Sequence, residues 1–160
     1  MFATVHLTSS SSLLKKVRTS LMNASNFDII LRMKTILVDA VDCFVSEEGK
    51  IFGEMHDLLE TYPNKKIILT GANDEQFKKF GLDKMPYEVF TLKHNSEKTN
   101  PKYYETMLAH FNLTKEDVIY FEHNPDAIKS ARSAGVETYF YDNDRKDLAE
   151  LKKFLDGNLI

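Results

Sequence analysis

The sequence predicts a doubly wound α/β domain: a parallel, five-stranded, Rossmann-like sheet with helices on both faces. Three observations lead there. Five short apolar runs of strand length are separated by stretches in which apolar residues recur at helical spacing. The runs are nearly continuous rather than alternating, as strands covered on both faces should be. Strand and helix alternate at a spacing that makes βαβ units, and such units build parallel sheets.

Taken in order, "TILVDA" (35–40) reads as the first strand. "FVSEEGKIF" (44–52) reads as a small hairpin turning at Glu48-Gly49. "GEMHDLLETY" is a helix stopped by Pro63-Asn64, and "KIILTG" is the second strand. In "NDEQFKKFGL" Asn73 caps a helix, with Gln76 three residues on as in a capping box. "YEVFTL" is the third strand. "NPKYYETMLAHFNL" is a helix with Asn100 as N-cap and Pro101 at its first position. "TKEDVIYFE" supplies a short turn and the fourth strand. "NPDAIKSARSAG" repeats the Asn-Pro start and closes on Gly135 as a C-terminal cap. "VETYFYD" is the fifth strand, and "DRKDLAELKKFL" is the last helix.

At 160 residues the chain suits one core. A net charge of −3 excludes a general polyanion binder, and no basic groove or aromatic platform marks a nucleic-acid partner. No run approaches the ~18 apolar residues of a membrane span. Cys43 is the only cysteine, so no intrachain disulfide forms, which suits a reducing, cytoplasmic setting. Residues 1–32 differ from the rest: Lys15, Lys16, Arg18 and Arg32 face Asp28 alone, a net of +3 that leaves −6 for the remainder. This Ser-rich, acid-poor segment reads as an extension ahead of a domain spanning 33–160, with Met33 as an alternative start. A transit peptide to an organelle matrix and an extra helix are the other readings. It has no apolar core beside a small-residue cleavage site, which argues against secretion.

In open parallel sheets, ligands bind beyond the carboxyl ends of the strands. Asp39, Thr70-Gly71, Glu122-His123 and Asp142 all stand at such ends. Their order is specific: a strand ending in Asp39, a strand ending in Thr70-Gly71, Lys98 in "KTNP" before a helix, then a strand ending in Glu122-His123 and the tail "AIKSARSAG". This ordered set resembles the haloacid dehalogenase-like hydrolases over essentially all of 33–160. The resemblance implies that Asp39 is a nucleophile forming an aspartyl-phosphate. It implies that Thr70, with Gly71 beside it, binds a phosphoryl oxygen, and that Lys98 neutralises the nucleophile and the phosphoryl group. It further implies Mg²⁺ held by Asp39, the backbone carbonyl of Val41 and Glu122.

The departures are as informative. The family's first motif is Asp-x-Asp-Gly-Thr, and its second Asp serves as general acid and base. Here that place holds Val41, followed by Asp42 and Cys43. Losing such a group costs ~10²–10⁴ in rate. Asp42 would replace it if a helical turn after the strand brought both carboxylates to one side. In the acidic pair of the fourth motif the second position is His123, a poor Mg²⁺ ligand that would instead meet a phosphoryl group as a cation or take a softer metal. Asn124 is read as a substrate-side group and, more simply, as the N-cap of the next helix.

Each residue also has a plain reading. Thr70-Gly71 makes an ordinary strand-to-helix turn, Lys98 is solvated with Lys102 as its competitor, and Asp142 caps the last helix. His6, His56, His94 and His110 have no metal-ligand spacing, and Cys43 has no basic partner in sequence. Asp39 to Thr70, and Thr70 to Lys98, are too short to hold a cap domain. A capless site fits a phosphorylated, macromolecular substrate, or a second subunit that supplies the lid. The leading expectation is a Mg²⁺-dependent phosphoric-monoester phosphatase, slowed by Val41. The alternatives are a catalytically degenerate binding or assembly module, and a dehalogenase or phosphonatase-type hydrolase.

Overall fold

The computed structural model describes residues 33–159; the readings of residues 1–32 lie outside them. Five strands form one sheet: β1 (Thr35–Asp39), β2 (Lys66–Thr70), β3 (Glu88–Thr91), β4 (Val118–Glu122) and β5 (Glu137–Phe140). Their order is β3-β2-β1-β4-β5, and every pairing is parallel. The helices are α1 (Gly53–Glu60), α2 (Asp74–Lys79), α3 (Pro101–Phe111), α4 (Pro125–Ser133) and α5 (Leu148–Asn158).

Period-two alternation sorts the strand side chains onto two faces. Ile36, Val38, Ile68, Ile119 and Phe121 pack with Met55 and Leu59 of α1 and with Leu151 and Leu155 of α5. Leu37, Ile67, Leu69, Val118 and Tyr120 pack with Tyr103, Tyr104 and Met107 of α3 and with Ala131 of α4. Both faces are therefore covered, which is why these strands carry apolar residues at consecutive positions.

The caps stand where the sequence puts them. Asn73 and Gln76 close a reciprocal capping box at α2. Asn100 accepts from Lys102 N–H, and Asn124 accepts from Asp126 N–H and Ala127 N–H. Gly135 takes φ +83° just past α4, and Val136 N–H reaches back to the Ala131 carbonyl. That left-handed conformation favours glycine; the one close neighbour of an added Cβ, the flexible Lys115 side chain, could move aside.

Two elements differ from expectation. The hairpin is reduced to one antiparallel bridge, Val45 with Ile51, although its turn closes with Gly49 at φ +80°. The 44–52 stretch is spent instead on curling over β1: Phe44 and Val45 N–H both bond the Ala40 carbonyl. The last helix starts later than read. Asp142 Oδ1 accepts from Asp144 and Arg145 N–H in a separate turn, and Asp147 is the N-cap of α5. Among the described residues no helix is long and apolar enough to cross a membrane.

Candidate active site

The site forms where the strand order turns on either side of β1, the usual crevice of a doubly wound sheet. Asp39 pairs with Leu69, and Val38 with Phe121. Register thus brings Asp39 level with Glu122 and puts Thr70 just beyond. These residues line a cavity of about 450 Å³, together with Gly71, Lys98, His123 and Asn124. Asp39 and Glu122 are buried, at 1% and 0% exposure. Burying two carboxylates is costly unless each is paired and hydrogen-bonded.

Both are. Lys98 Nζ donates to Asp39 Oδ1, and to Glu122 Oε2 at 2.7 Å. His123 Nδ1 lies 2.6 Å from Asp39 Oδ2 and 3.2 Å from Glu122 Oε1. Glu122 Oε1 accepts from the N–H groups of His123 and Asn124, both at 2.9 Å. Its Oε2 also accepts from the Tyr120 hydroxyl at 2.5 Å. Lys98 is therefore the lysine of this cluster; Lys102 stands exposed on α3.

The electrostatics follow from this packing. Burial, then the charge of Glu122, raise the Asp39 pKa, and Lys98 and His123 offset only part of that rise. Burial also opposes charge on Glu122, but Lys98 and the bonds from His123, Lys98 and Tyr120 win, so its pKa is lowered. Hydrogen bonds to Asp39 and Glu122 push His123 up to about 10, making it an imidazolium at neutral pH. Burial works against the Lys98 charge, yet Asp39 and Glu122 hold its pKa well above the ordinary value. The cluster thus pairs two anions with two cations.

Asp42 does not reach Asp39. The expected helical turn is replaced by a left-handed residue, Asp42 at φ +70°, whose N–H bonds the Val45 carbonyl. Its half-exposed carboxylate sits on the rim, with Oδ2 4.0 Å from His123 Nε2. His123 stands between the two aspartates. Val41 lines the cavity but offers no proton. Thr70 Oγ1 accepts from Ala72 N–H at 3.2 Å. The Glu97 carboxylate lies over Gly71, with Oε2 3.0 Å from where a Cβ would stand. Asn124 caps α4 at the cavity wall.

Sequence reasoning passed over several participants. Tyr103 accepts from Thr70 N–H at 3.1 Å and donates to the Thr70 carbonyl at 2.7 Å, fixing the end of β2. Tyr120 supports Glu122, as above. His94 bridges Glu97 and Gln76, each at 2.7 Å, and so ties the loop that carries Lys98 to α2. Cys43 has a partner after all: its Sγ is 3.7 Å from His123 Nδ1. Burial, then the negative charges of Asp39 and Glu122, keep it a thiol. The buried phenols in "KYYETM" and "VIYFE" were the available signal, because a buried tyrosine hydroxyl needs a partner.

Asp39, Glu122 and the Val41 carbonyl are the groups that would hold Mg²⁺, an ion commonly bound through one or two carboxylates with water completing its shell. Both carboxylates are paired with Lys98 and His123, contacts the ion would have to displace.

The model of the haloacid dehalogenase-like hydrolases matches residues 50–141, more than half of the chain. No curated protein matches. Solved structures share the fold at low identity. One is a HAD-superfamily hydrolase, subfamily IA, variant 1, from Geobacter sulfurreducens: 12% identity over 69% of this chain and 87% of that one, TM-score 0.52. The core domain of a protein proposed to be a phosphoglycolate phosphatase, from Streptococcus pneumoniae, gives 13% identity over 78% and 96%, TM-score 0.52. The N-terminal part of a Bacteroides fragilis protein, with a phosphatase domain complexed with Mg, gives 14% over 80% and 41%, TM-score 0.55.

Proposed function

We propose that this chain, which belongs to the haloacid dehalogenase-like hydrolases, hydrolyses phosphate esters and acyl phosphates through an aspartyl-phosphate on Asp39. The observation that carries this reading is the position of Asp39. It is a buried carboxylate at the end of the central strand, on the floor of a cavity, flanked by Lys98 and His123. Phosphoryl transfer needs a nucleophile in line and positive charge around the phosphoryl oxygens. Lys98 and the His123 imidazolium supply that charge, with the Thr70 hydroxyl on the β2 side.

In the first step an Asp39 oxygen attacks phosphorus as the bond to the leaving oxygen breaks. The entering phosphoryl oxygens take over the contacts of Lys98 and His123 and free the carboxylate. Water then attacks the phosphorus of the aspartyl-phosphate, releasing phosphate and restoring Asp39. With Val41 in the usual acid position, the nearest proton donor on the rim is His123, whose Nε2 faces Asp42. A proton held with a pKa of about 10 is given up reluctantly. Leaving groups that depart as stable anions, such as acyl and aryl oxygens, are therefore hydrolysed well and alkyl monoesters poorly. No step here runs through Mg²⁺, although members of the family typically use it.

The open site supports a macromolecular phosphoester as the substrate. From Asp39 to Thr70 the chain holds only a turn, α1 and β2; from Thr70 to Lys98 it holds only α2, a 3₁₀ turn and β3. The test is hydrolysis of acetyl phosphate and an activated aryl phosphate beside Asp39→Asn. We expect turnover in the wild type and background in the variant. Equal rates in both would overturn the reading. Val41 favours a second one, binding of a phosphorylated partner without turnover; phosphate binding with no hydrolysis of either substrate would select it.

A further inference from the structure

We infer that Asp39, Cys43 and His123 form a binding site for a divalent transition-metal ion of the zinc class. The turn after β1 returns the chain over its own end, through the paired bonds of Phe44 and Val45 N–H to the Ala40 carbonyl. That turn buries the Cys43 side chain against the cluster, at 1% exposure. Its Sγ lies 3.7 Å from His123 Nδ1, which lies 2.6 Å from Asp39 Oδ2. The three donor atoms are all within 4.8 Å of one another. A tetrahedral ion with bonds to sulfur, nitrogen and oxygen spaces its donors about 3.3–3.7 Å apart. The Cys43–His123 edge is already of the required length, the Asp39–His123 edge must open, and the third edge lies within 4.8 Å.

The chemistry of the donors selects the metal. One thiolate, one imidazole and one carboxylate suit zinc or cobalt and leave a hard, oxygen-seeking cation underserved. Three protein ligands leave a fourth position open, the pattern of sites that also bind a reactant, and two of the three, Asp39 and His123, line the cavity. A ligating histidine usually turns its other nitrogen to a carboxylate; Asp42 Oδ2 stands on that side, 4.0 Å from Nε2 and beyond hydrogen-bond reach. Loading balances simply. The ion displaces the Cys43 thiol proton and the His123 Nδ1 proton, and both leave to solvent. The cluster ends with the net charge it started with: the ion adds two positives, and the two lost protons remove two. Lys98 keeps its place on Asp39 Oδ1 and Glu122.

This site differs from the one the family resemblance implies, which uses Asp39, the carbonyl of residue 41 and the acidic pair. It stands whether or not Asp39 attacks phosphorus. The test is titration of the chelator-treated full chain with Co²⁺, read by absorption. Because the sequence has one cysteine, a thiolate-to-cobalt charge-transfer band assigns the metal to Cys43 in the wild type, with no variant needed. We expect that band to saturate at one equivalent, to vanish with Zn²⁺, and to persist in a large excess of Mg²⁺. Cys43→Ser should remove it, and His123→Ala should weaken Co²⁺ binding by at least about tenfold. A folded wild type that binds Co²⁺ without the band, or not at all, overturns the inference. So does displacement by Mg²⁺. Loss of phosphatase activity has no bearing on this readout.

Discussion

The ends of β1 and β4 carry the same kind of group in different settings. Glu122 is held by two backbone N–H groups, a tyrosine hydroxyl and Lys98. Among the described residues, Asp39 is held by the tips of two side chains, Lys98 and His123. One carboxylate is part of the frame, and its pKa is lowered against burial. The other is left with a raised pKa and with partners that can move aside. Backbone donors stabilise a buried charge permanently, whereas side-chain cations can be lent to a substrate.

Glu122→Ala should break this contrast most severely. It leaves Lys98 half-paired and two N–H groups without an acceptor, and breaking a buried pair costs about 3–5 kcal/mol. Urea unfolding measures it; a loss under about 1 kcal/mol would mean that Glu122 is not the frame. Asp39→Asn should do the reverse: no turnover, with stability changed far less than by Glu122→Ala, as expected where a functional group is kept at some cost to stability. A similar stability loss in both variants would erase the distinction.

The pH dependence sharpens it further. His123 has a folded pKa raised from 6.5 to about 10. Its contribution to stability is therefore complete below about pH 6.5 and disappears as pH rises through 10. The gap in unfolding free energy between wild type and His123→Gln should narrow over that window; a constant gap would place the imidazolium elsewhere. The smallest expected effect belongs to Tyr120→Phe, which removes one of the donors on Glu122. It should cost about 1–3 kcal/mol in the same unfolding assay and leave turnover on acetyl phosphate within a few-fold. A large drop in rate instead would make Tyr120 part of the reaction.

Much of this was legible in the sequence because it is local or periodic. Asn73, Asn100, Asn124 and Gly135 announce helix ends through their own backbone chemistry. The strand-end positions of Asp39, Thr70 and Glu122 follow from where the apolar runs stop. Lys98 was preferred to Lys102 only through the family resemblance, and packing supplies the reason: its loop is tied down by His94 and Glu97. What could not be read was the pairing of groups far apart in sequence. Cys43 and His123 are 80 positions apart and meet only because β1 and β4 are neighbours. The place of Asp42 is hidden for the opposite reason: one left-handed residue turns its carboxylate to the rim, and no periodicity reports such a turn. The start of α5 differs because Asp142 closes a separate turn, while Asp147 accepts from Glu150 N–H as the N-cap.

The most direct measurement of the central claim is borohydride trapping. The full chain would be mixed with acetyl phosphate, reduced during turnover, digested, and the peptide carrying Asp39 examined by mass spectrometry. An aspartyl-phosphate is reduced to homoserine, so conversion at position 39, absent without acetyl phosphate, is the result this account predicts. Active turnover with Asp39 unmodified, or homoserine at Asp42 instead, would contradict it.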